Sequence, residues 1–556
     1  MFEIDSELRE YIKMGGFVGL AQTNPIAGDL EYNSNKIIDF IKEAESLSLD
    51  IVMFHLNALI GYKMDDFCSR YPFIIDEEKK YLDKIASQVQ KISVLLPFID
   101  EEKNYSFAII RYGRVDKIIS GCEYITSKEF NDGVEFYIKP VAIPSRAGSQ
   151  YIREEDLKQL ALETKRPILE INQVGSIDGW SYAGQSCVAD ENGEIFVRAK
   201  DFEEQLLVVN PFRKIGGGNL GKGKCSPDPV KKPIDFSLDY EWDLERTYKT
   251  VVQSIRDYFA KCGLKRAVLG LSGGLDSTVS AVLLVDALGK ENVYGVSMPS
   301  KLTSDESKSD ARILAENLGI GFSEVSIKEM YETTDSCFNK LFTEVEKAWD
   351  CRYKESFTPD NIQARSRAMY LFGIANEFAS CIPIATSDKS ELYMGYATIN
   401  GDMSGGFAPL ADITKTKLFA LARWLNKNRE DKNAIPESII LKRPGAELAI
   451  DKKTGKTLLA EDALMPYEFL DEIIWRIENY QESYQDLMEA EFVYEKKENI
   501  SQEQKKEWLD KFYRRMSFAL FKGIIMPPSP IVDAHSINKV DYYQPVTSSR
   551  VNYNNL

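Results

Sequence analysis

A chain of 556 residues exceeds what one hydrophobic core holds, so two large domains are the default expectation. A formal net charge of −17 argues against a general nucleic-acid or membrane-surface partner, because such surfaces need clustered Lys and Arg, although a local basic pocket for a nucleotide stays open. Eight scattered cysteines without a CxxC pair and only two histidines, His55 and His535, speak against a disulfide scaffold or a Cys/His zinc site and leave acid–base chemistry to Asp, Glu, Lys or an external amine.

The opening MFEIDSELREYIKMGG is acidic where a signal peptide has a basic start and an apolar run, and no later stretch approaches a membrane span. The location expected is cytoplasmic. From Gly16 onward FVGLAQTNP reads as a strand, NKIIDFIKEAESL as an amphipathic helix and DIVMFHL as a strand, followed by the strand-like ISVLLPFID, YSFAIIRYG, DKIISGCEY and ILEINQVG. This is an α/β layout with many strands. KIGGGNLGKGKCSPDPVKKP is rich in Gly, Pro and Lys without apolar periodicity and reads as a connector, which places domains at 1–213 and 240–556 with a linker at 214–239. Beyond it WDLERTYKTVVQSIRDYFAKCG reads as a helix, RAVLGL as a buried strand, SGGLDS as a loop, TVSAVLLVDALG as a helix stopped by its glycine, and VYGVSMPS as the next strand. Such a unit predicts a parallel sheet covered on both faces, with ligands at the carboxyl ends of its strands.

The chemistry concentrates in LGLSGGLDST, residues 269–278. Gly273 and Gly274 let successive amides turn toward one point, Ser272, Ser277 and Thr278 add hydroxyls, and the following helix contributes its positive end, together a cradle for phosphate oxygens. The GxxxxGK[ST] lysine is absent. Asp276 would repel phosphate unless a divalent cation stands between them, and Mg²⁺ held by one or two carboxylates plus phosphates meets that need. The plainer reading of Asp276 is a helix cap.

SGGLDS resembles the pyrophosphate-binding loop of the ATP pyrophosphatase (adenine nucleotide alpha hydrolase-like) superfamily, which implies a doubly wound parallel sheet. TPDNIQARSRAMYLF at 358–372, TSDKSELYMGY at 386–396 and NGDMSGGFAPLADITKTK at 400–417 resemble the NAD synthetases, and the resemblance runs from about Tyr240 to Met526. It implies ATP- and Mg²⁺-dependent amidation of deamido-NAD through an acyl-adenylate. Residue by residue it places ATP or pyrophosphate on Ser272, Gly273, Gly274, Asp276, Ser277 and Arg365, Thr386 near the adenylated carboxyl, and the metal on Asp276 and Glu391. Asp402 would orient or deprotonate ammonia, and Lys415 would stabilise charge near the acyl-phosphate. Three departures stand out: Asp388 where Asn is usual, Gly445 where Ser or Thr is common, and a loose FKGIIMPP at 521–528 that leaves Lys522 a weak role. The first is expected to matter little.

GFVGLAQTNPIAGDLEYNSNK at 16–36 and NQVGSIDGWSYAGQSCVADENGEI at 172–195 resemble the glutaminase domain fused to many NAD synthetases, a nitrilase-like αββα sandwich. That activity needs a Cys nucleophile, a Glu base and a Lys for the oxyanion. In MFHLNALIGY the Glu position is Leu56, the Lys position falls near Gly121, and Cys122 in SGCEY echoes the nucleophile. The domain is expected to be inactive and kept for homo-oligomer assembly, with free ammonia as nitrogen donor. The alternatives are a glutamine-fed enzyme using an altered Cys122 site, with His55 as a substitute base, and a non-catalytic scaffold.

Overall fold

The computed structural model describes residues 16–62, 73–120, 125–126, 135–212, 215–217, 241–349, 356–432, 434–445 and 460–537. The expected linker therefore lies mostly outside the described residues. The chain divides into two compact units, Met1–Pro233 and Ile234–Leu556.

The first unit is built on two sheets. Strands β1 (Val18–Gln22), β2 (Ile51–Phe54), β3 (Ser93–Ile99), β4 (Tyr105–Arg111), β5 (Arg114–Ser120), β13 (Gln205–Asn210) and β14 (Ile215–Gly217) form a seven-stranded sheet in the order β14-β13-β1-β2-β3-β4-β5. Strands β6 (Ile125–Thr126), β7 (Tyr137–Pro140), β8 (Ile168–Ile171), β11 (Cys187–Ala189) and β12 (Ile195–Arg198) form a five-stranded one, while β9 (Val174–Ile177) and β10 (Trp180–Ala183) make a hairpin. Alternation along β2 explains the layering. Ile51 and Met53 point into a core shared with Leu169, Ile171 and Val188 of the second sheet, whereas Val52 and Phe54 meet Ile37 and Ile41 of α1 (Leu30–Ser46) and Ile85 of α2 (Phe73–Ala86). On the far side Leu157 and Ala161 of α3 (Ser149–Thr164) cover Ile168, Cys187 and Ala189. The result is an αββα sandwich.

In the second unit α4 (Glu241–Lys261) precedes β15 (Arg266–Gly270), α5 (Leu275–Leu288), β16 (Val293–Ser297), α6 (Asp305–Leu318), β17 (Gly321–Glu324), α7 (Lys328–Glu346), α8 (Thr358–Glu377) and β18 (Cys381–Pro383). The four strands are parallel in the order β17-β16-β15-β18. Ala267 and Leu269 pack with α4 and α5 on one face, and Val268 packs against Leu371 of α8 on the other. Strands are added on one side of β15 as far as β17 and then on its other side as β18, and this switch in winding opens a crevice at the carboxyl ends of β15 and β18. Short α9 (Lys389–Tyr393), α10 (Lys415–Asn428) and α11 (Glu437–Leu441) follow, and then α12 (Ala460–Ala463), α13 (Tyr467–Tyr480), α14 (Tyr484–Glu489), α15 (Val493–Glu498) and α16 (Gln502–Gly523), whose core includes Phe469, Phe492 and Phe512. No helix among the described residues is long and apolar enough to cross a membrane.

Because Phe54 is fully buried between β2 and the helices, Phe54→Ala is expected to cost about 3–5 kcal/mol, read as a lower denaturation midpoint of the first unit's transition in chemical unfolding.

Candidate active site

β15 delivers the chain into Leu271–Gly274, and Gly274 caps α5, so the loop meets a helix N-terminus at the sheet's switch point. A cavity of about 250 Å³ opens there, and Ser272, Gly274, Asp276 and Ser277 line it. Gly273 sits behind the lining at φ +76°, where a Cβ would lie 2.2 Å from the Ser307 carbonyl oxygen, so only glycine fits. The Ser272 and Ser277 hydroxyls are 3.1 Å apart and Ser272 Oγ accepts from the Gly274 amide at 3.2 Å, which holds the loop in shape with its own serines. Thr278 departs from the expectation: it is buried and does not line the cavity, because its place in the first turn of α5 faces the core.

Beside the loop stands a cluster of charge. Lys415, the first residue of α10, is buried with Nζ 2.6 Å from Asp276 Oδ1, 2.7 Å from Asp388 Oδ2 and 3.1 Å from Glu391 Oε1. Burial alone would lower its pKa, but the three carboxylates outweigh that and hold it well above the ordinary lysine value. Burial pushes Glu391 up to about 7, with Asp276 and Asp402 adding to the rise and Lys415 opposing it. Asp388 is also pushed well up by burial, against the pull of Lys415. The expectation that Asp388 matters little is corrected: its Oδ1 accepts from the Glu391 amide at 2.9 Å, capping α9, while its other oxygen meets Lys415. Behind them Ser390 Oγ donates to Asp471 at 2.5 Å and accepts from the Lys415 amide at 2.9 Å.

Asp276, Asp388 and Glu391 each bring a carboxylate oxygen within 4.8 Å of the others. An all-oxygen, anionic donor set that already gathers around an ammonium has the chemistry of a site for a hard divalent cation, so the residues fit Mg²⁺.

Thr386, Gly401 and Asp402 also line the cavity. Asp402 Oδ1 accepts from the Thr398 amide at 2.6 Å. Crowding by protein atoms pushes its carboxyl up, while backbone donors and Lys522 pull it down. Arg365 is not brought to the cavity: it is exposed and its Nε donates to the Ile399 carbonyl at 3.2 Å. Arg367 lines the cavity instead, with Nε on the Met298 carbonyl at 3.1 Å, together with Lys442 and Arg443. Helical phase could have found it, since Ala364, Arg367, Ala368 and Leu371 share one face of α8 and all line the cavity.

In the first unit Leu56 packs, partly buried, against the core between the sheets. His55 is buried with Nε2 2.8 Å from Thr23 Oγ1 and 3.1 Å from the Thr23 carbonyl. Burial lowers its pKa to about 3 against the pull of that carbonyl, which makes it a feeble proton acceptor. Asn57, next in the chain, is tied to Gln173 at 2.9 Å and accepts from the Tyr105 hydroxyl at 2.6 Å. Gly121 and Cys122 lie outside the described residues.

A glycine loop at the carboxyl edge of a doubly wound parallel sheet, opening beside a carboxylate cluster, defines a nucleotide-binding α/β enzyme of the ATP pyrophosphatase type. A family model described as NAD synthase matches residues 247–515. The glutamine-dependent NAD(+) synthetase of Thermotoga maritima is 31% identical over 527 residues, covering 82% of this chain and 88% of the relative, and that of Aquifex aeolicus is 33% identical over 517 residues, covering 82% and 88%. Among solved structures, the glutamine-dependent NAD(+) synthetase of Cytophaga hutchinsonii gives a TM-score of 0.75 at 19% identity over 96% of this chain and 98% of that one. The Acinetobacter baumannii enzyme, solved with ADP, gives 0.66 at 24% identity over 95% and 98%. The chain belongs to the NAD synthetase family of carbon–nitrogen ligases, with a nitrilase-like sandwich as its first unit.

Glu391 titrates higher folded than its ordinary 4.5, so the native state binds its proton more tightly and stability falls as pH rises through the window from about 4.5 to 7. With divalent cations chelated, the melting temperature is expected to decline across that window, and Glu391→Gln to flatten the decline in calorimetric scans.

Proposed function

We propose that the chain converts deamido-NAD to NAD⁺ with ATP and Mg²⁺, using free ammonia, and that its first unit carries no amidase activity. The observation that supports this most is the phosphate loop opening beside Asp276, Asp388, Glu391 and Lys415, with Asp402 lining the same cavity. The nicotinate carboxylate attacks the α-phosphorus of ATP, a P–O bond forms, and pyrophosphate leaves into the loop amides at the α5 N-terminus. Asp276 and Glu391 would hold Mg²⁺, which supplies charge neutralisation for the phosphates. Lys415 keeps those carboxylates in place and adds positive charge beside the leaving group. Thr386, which lines the cavity, would sit near the adenylated carboxyl. Ammonia, oriented by Asp402, attacks the acyl carbon; its proton passes to the carboxylate and AMP departs with the carboxyl oxygen.

Relatives bearing the name glutamine-dependent invite the reading that glutamine feeds this chain too. Against it stand Leu56 in the base position and His55, whose buried imidazole is committed to Thr23. A thiol without base or oxyanion partner stays mostly protonated at neutral pH, its pKa being about 8.5. The first unit is then kept for its surfaces, as an assembly module for a homo-oligomer.

The direct test is NAD⁺ formation with ammonium or glutamine as sole nitrogen source. Ammonium is expected to support turnover, glutamine almost none, and Cys122→Ala to leave the ammonium rate unchanged. Glutamine-driven synthesis that vanishes in Cys122→Ala would contradict the inactive-domain reading. Asp276→Ala or Glu391→Ala is expected to lower kcat by at least about a hundredfold at any Mg²⁺ concentration, the scale of losing one aimed electrostatic contact; near-parental activity across a Mg²⁺ titration would contradict the assignment.

A further inference from the structure

Helix α9, which carries Glu391, is five residues long, too short to hold its own orientation by backbone hydrogen bonds alone. Its direction is set by α13, which presents to it two acidic side chains seven residues apart on one helix face. Glu478 accepts from Lys389 Nζ and from the Tyr393 hydroxyl, each at 2.7 Å, and so takes hold of the first and last residues of α9. Asp471, fully buried, meets the second residue: its Oδ1 accepts from Ser390 Oγ at 2.5 Å.

The other oxygen of Asp471 serves a different helix. Thr414, in the N-cap position of α10, makes no side-chain cap bond, so the first-turn amides find acceptors elsewhere. The Lys415 amide donates to Ser390 Oγ at 2.9 Å and the Thr416 amide to Asp471 Oδ2 at 2.8 Å, where the Thr416 hydroxyl also donates at 2.6 Å. A carboxylate suits that place, since it accepts charge-assisted bonds and faces the positive end of the helix. The cap of α10 is thus supplied by α9 and α13 together. Ser390 precedes Glu391 and Thr416 follows Lys415, so each residue that Asp471 grips adjoins one that lines the cavity, while Asp471, Ser390 and Thr416 do not line it.

We infer that Asp471 is a positioning residue for the metal-binding carboxylates: by joining Ser390 to Thr416 it fixes Glu391 against Lys415, 3.1 Å apart, and so the place at which Glu391 meets the divalent cation, without itself touching metal or substrate. The inference rests on the assignment of Mg²⁺ to Asp276 and Glu391 proposed above. It gives α13 a part in the adenylation half-reaction and none in the attack of ammonia.

The test uses the full chain, with Asp471→Ala, Asp471→Asn and Ser390→Ala assayed for ammonia-dependent NAD⁺ formation across a Mg²⁺ titration. Asp471→Ala is expected to raise the half-saturating Mg²⁺ concentration by about tenfold or more, the scale of removing a partner that orients a metal ligand. At saturating Mg²⁺ the KM values for ammonia and deamido-NAD are expected to stay within about twofold, since neither contact is removed. Asp471→Asn, which keeps an oxygen for Thr416 and offers an N–H to Ser390 Oγ, is expected to recover most of the loss. Ser390→Ala cuts the junction on one side only and is expected to move the Mg²⁺ dependence in the same direction by less. Hydrogen exchange at the amides of residues 390–394 and 415–418 is expected to speed up in Asp471→Ala while β15 and β16 keep their parental rates, a readout independent of turnover. An unchanged Mg²⁺ dependence, unchanged exchange at these amides, or faster exchange spread evenly over the second unit would overturn the inference in favour of a purely structural role. Should Asp471→Ala fail to fold, Ser390→Ala decides by the same two measures. If the parent chain makes no NAD⁺ with ammonium, it is the proposed function that fails, while the exchange comparison still decides whether Asp471 holds α9 to α10.

Discussion

Three carboxylates held within reach of one another, one buried and two half-buried, repel strongly, and a cation standing among them relieves that repulsion. Lys415 is that cation. It reaches Asp276 at the start of α5, and Asp388 and Glu391 at the start of α9, so one ammonium from α10 ties together two segments more than a hundred positions apart in sequence. A second buried lysine backs the first. Lys389 Nζ lies 3.1 Å from Asp412, 2.7 Å from Glu478 and 2.9 Å from the His535 carbonyl, which anchors the start of α9 to α13 and to the C-terminal segment. The active cavity is therefore framed by fixed charges whose positions are set before any substrate arrives, the condition under which electrostatic stabilisation costs no reorganisation during the reaction.

The first unit rests on alternation within its strands: one face of β2 feeds the core between the sheets and the other meets α1 and α2. At the end of β2 the buried Asn57 side chain donates to Gln173 and accepts from the Tyr105 hydroxyl, and Leu56 beside it packs, partly buried, against the inter-sheet core.

Much of this was legible in the chain itself. The strand, loop, helix, strand order after residue 265 pointed to the parallel sheet, the sandwich of the first unit came from resemblance, and the glycines and serines of residues 272–277 carried their meaning locally, because a loop between a strand and a helix N-terminus needs no distant partner. What escaped were features set by three-dimensional phase. Arg365 and Arg367 sit two apart in QARSR, yet a helix turns about 200° between them, so only one can face the cavity. Thr278 is adjacent to Ser277 but falls on the buried side of α5 for the same reason. Asp388 looked like a neutral exchange for Asn because its partner, Lys415, lies 27 positions away and their ion pair exists only in the fold. The hydrogen bond from Lys522 to the Gly395 carbonyl spans 127 positions and leaves no local trace.

Carboxylate activation by adenylation in this charge-framed cavity has a signature in the fate of the carboxyl oxygen. Deamido-NAD labelled with ¹⁸O in its nicotinate carboxylate, turned over with ATP and ammonium, tests it most directly by mass spectrometry of the products. One ¹⁸O atom is expected in the phosphate of AMP and none in pyrophosphate, since the carboxyl oxygen that attacks the α-phosphorus leaves with it. Label in pyrophosphate or inorganic phosphate, or AMP free of label, would contradict it.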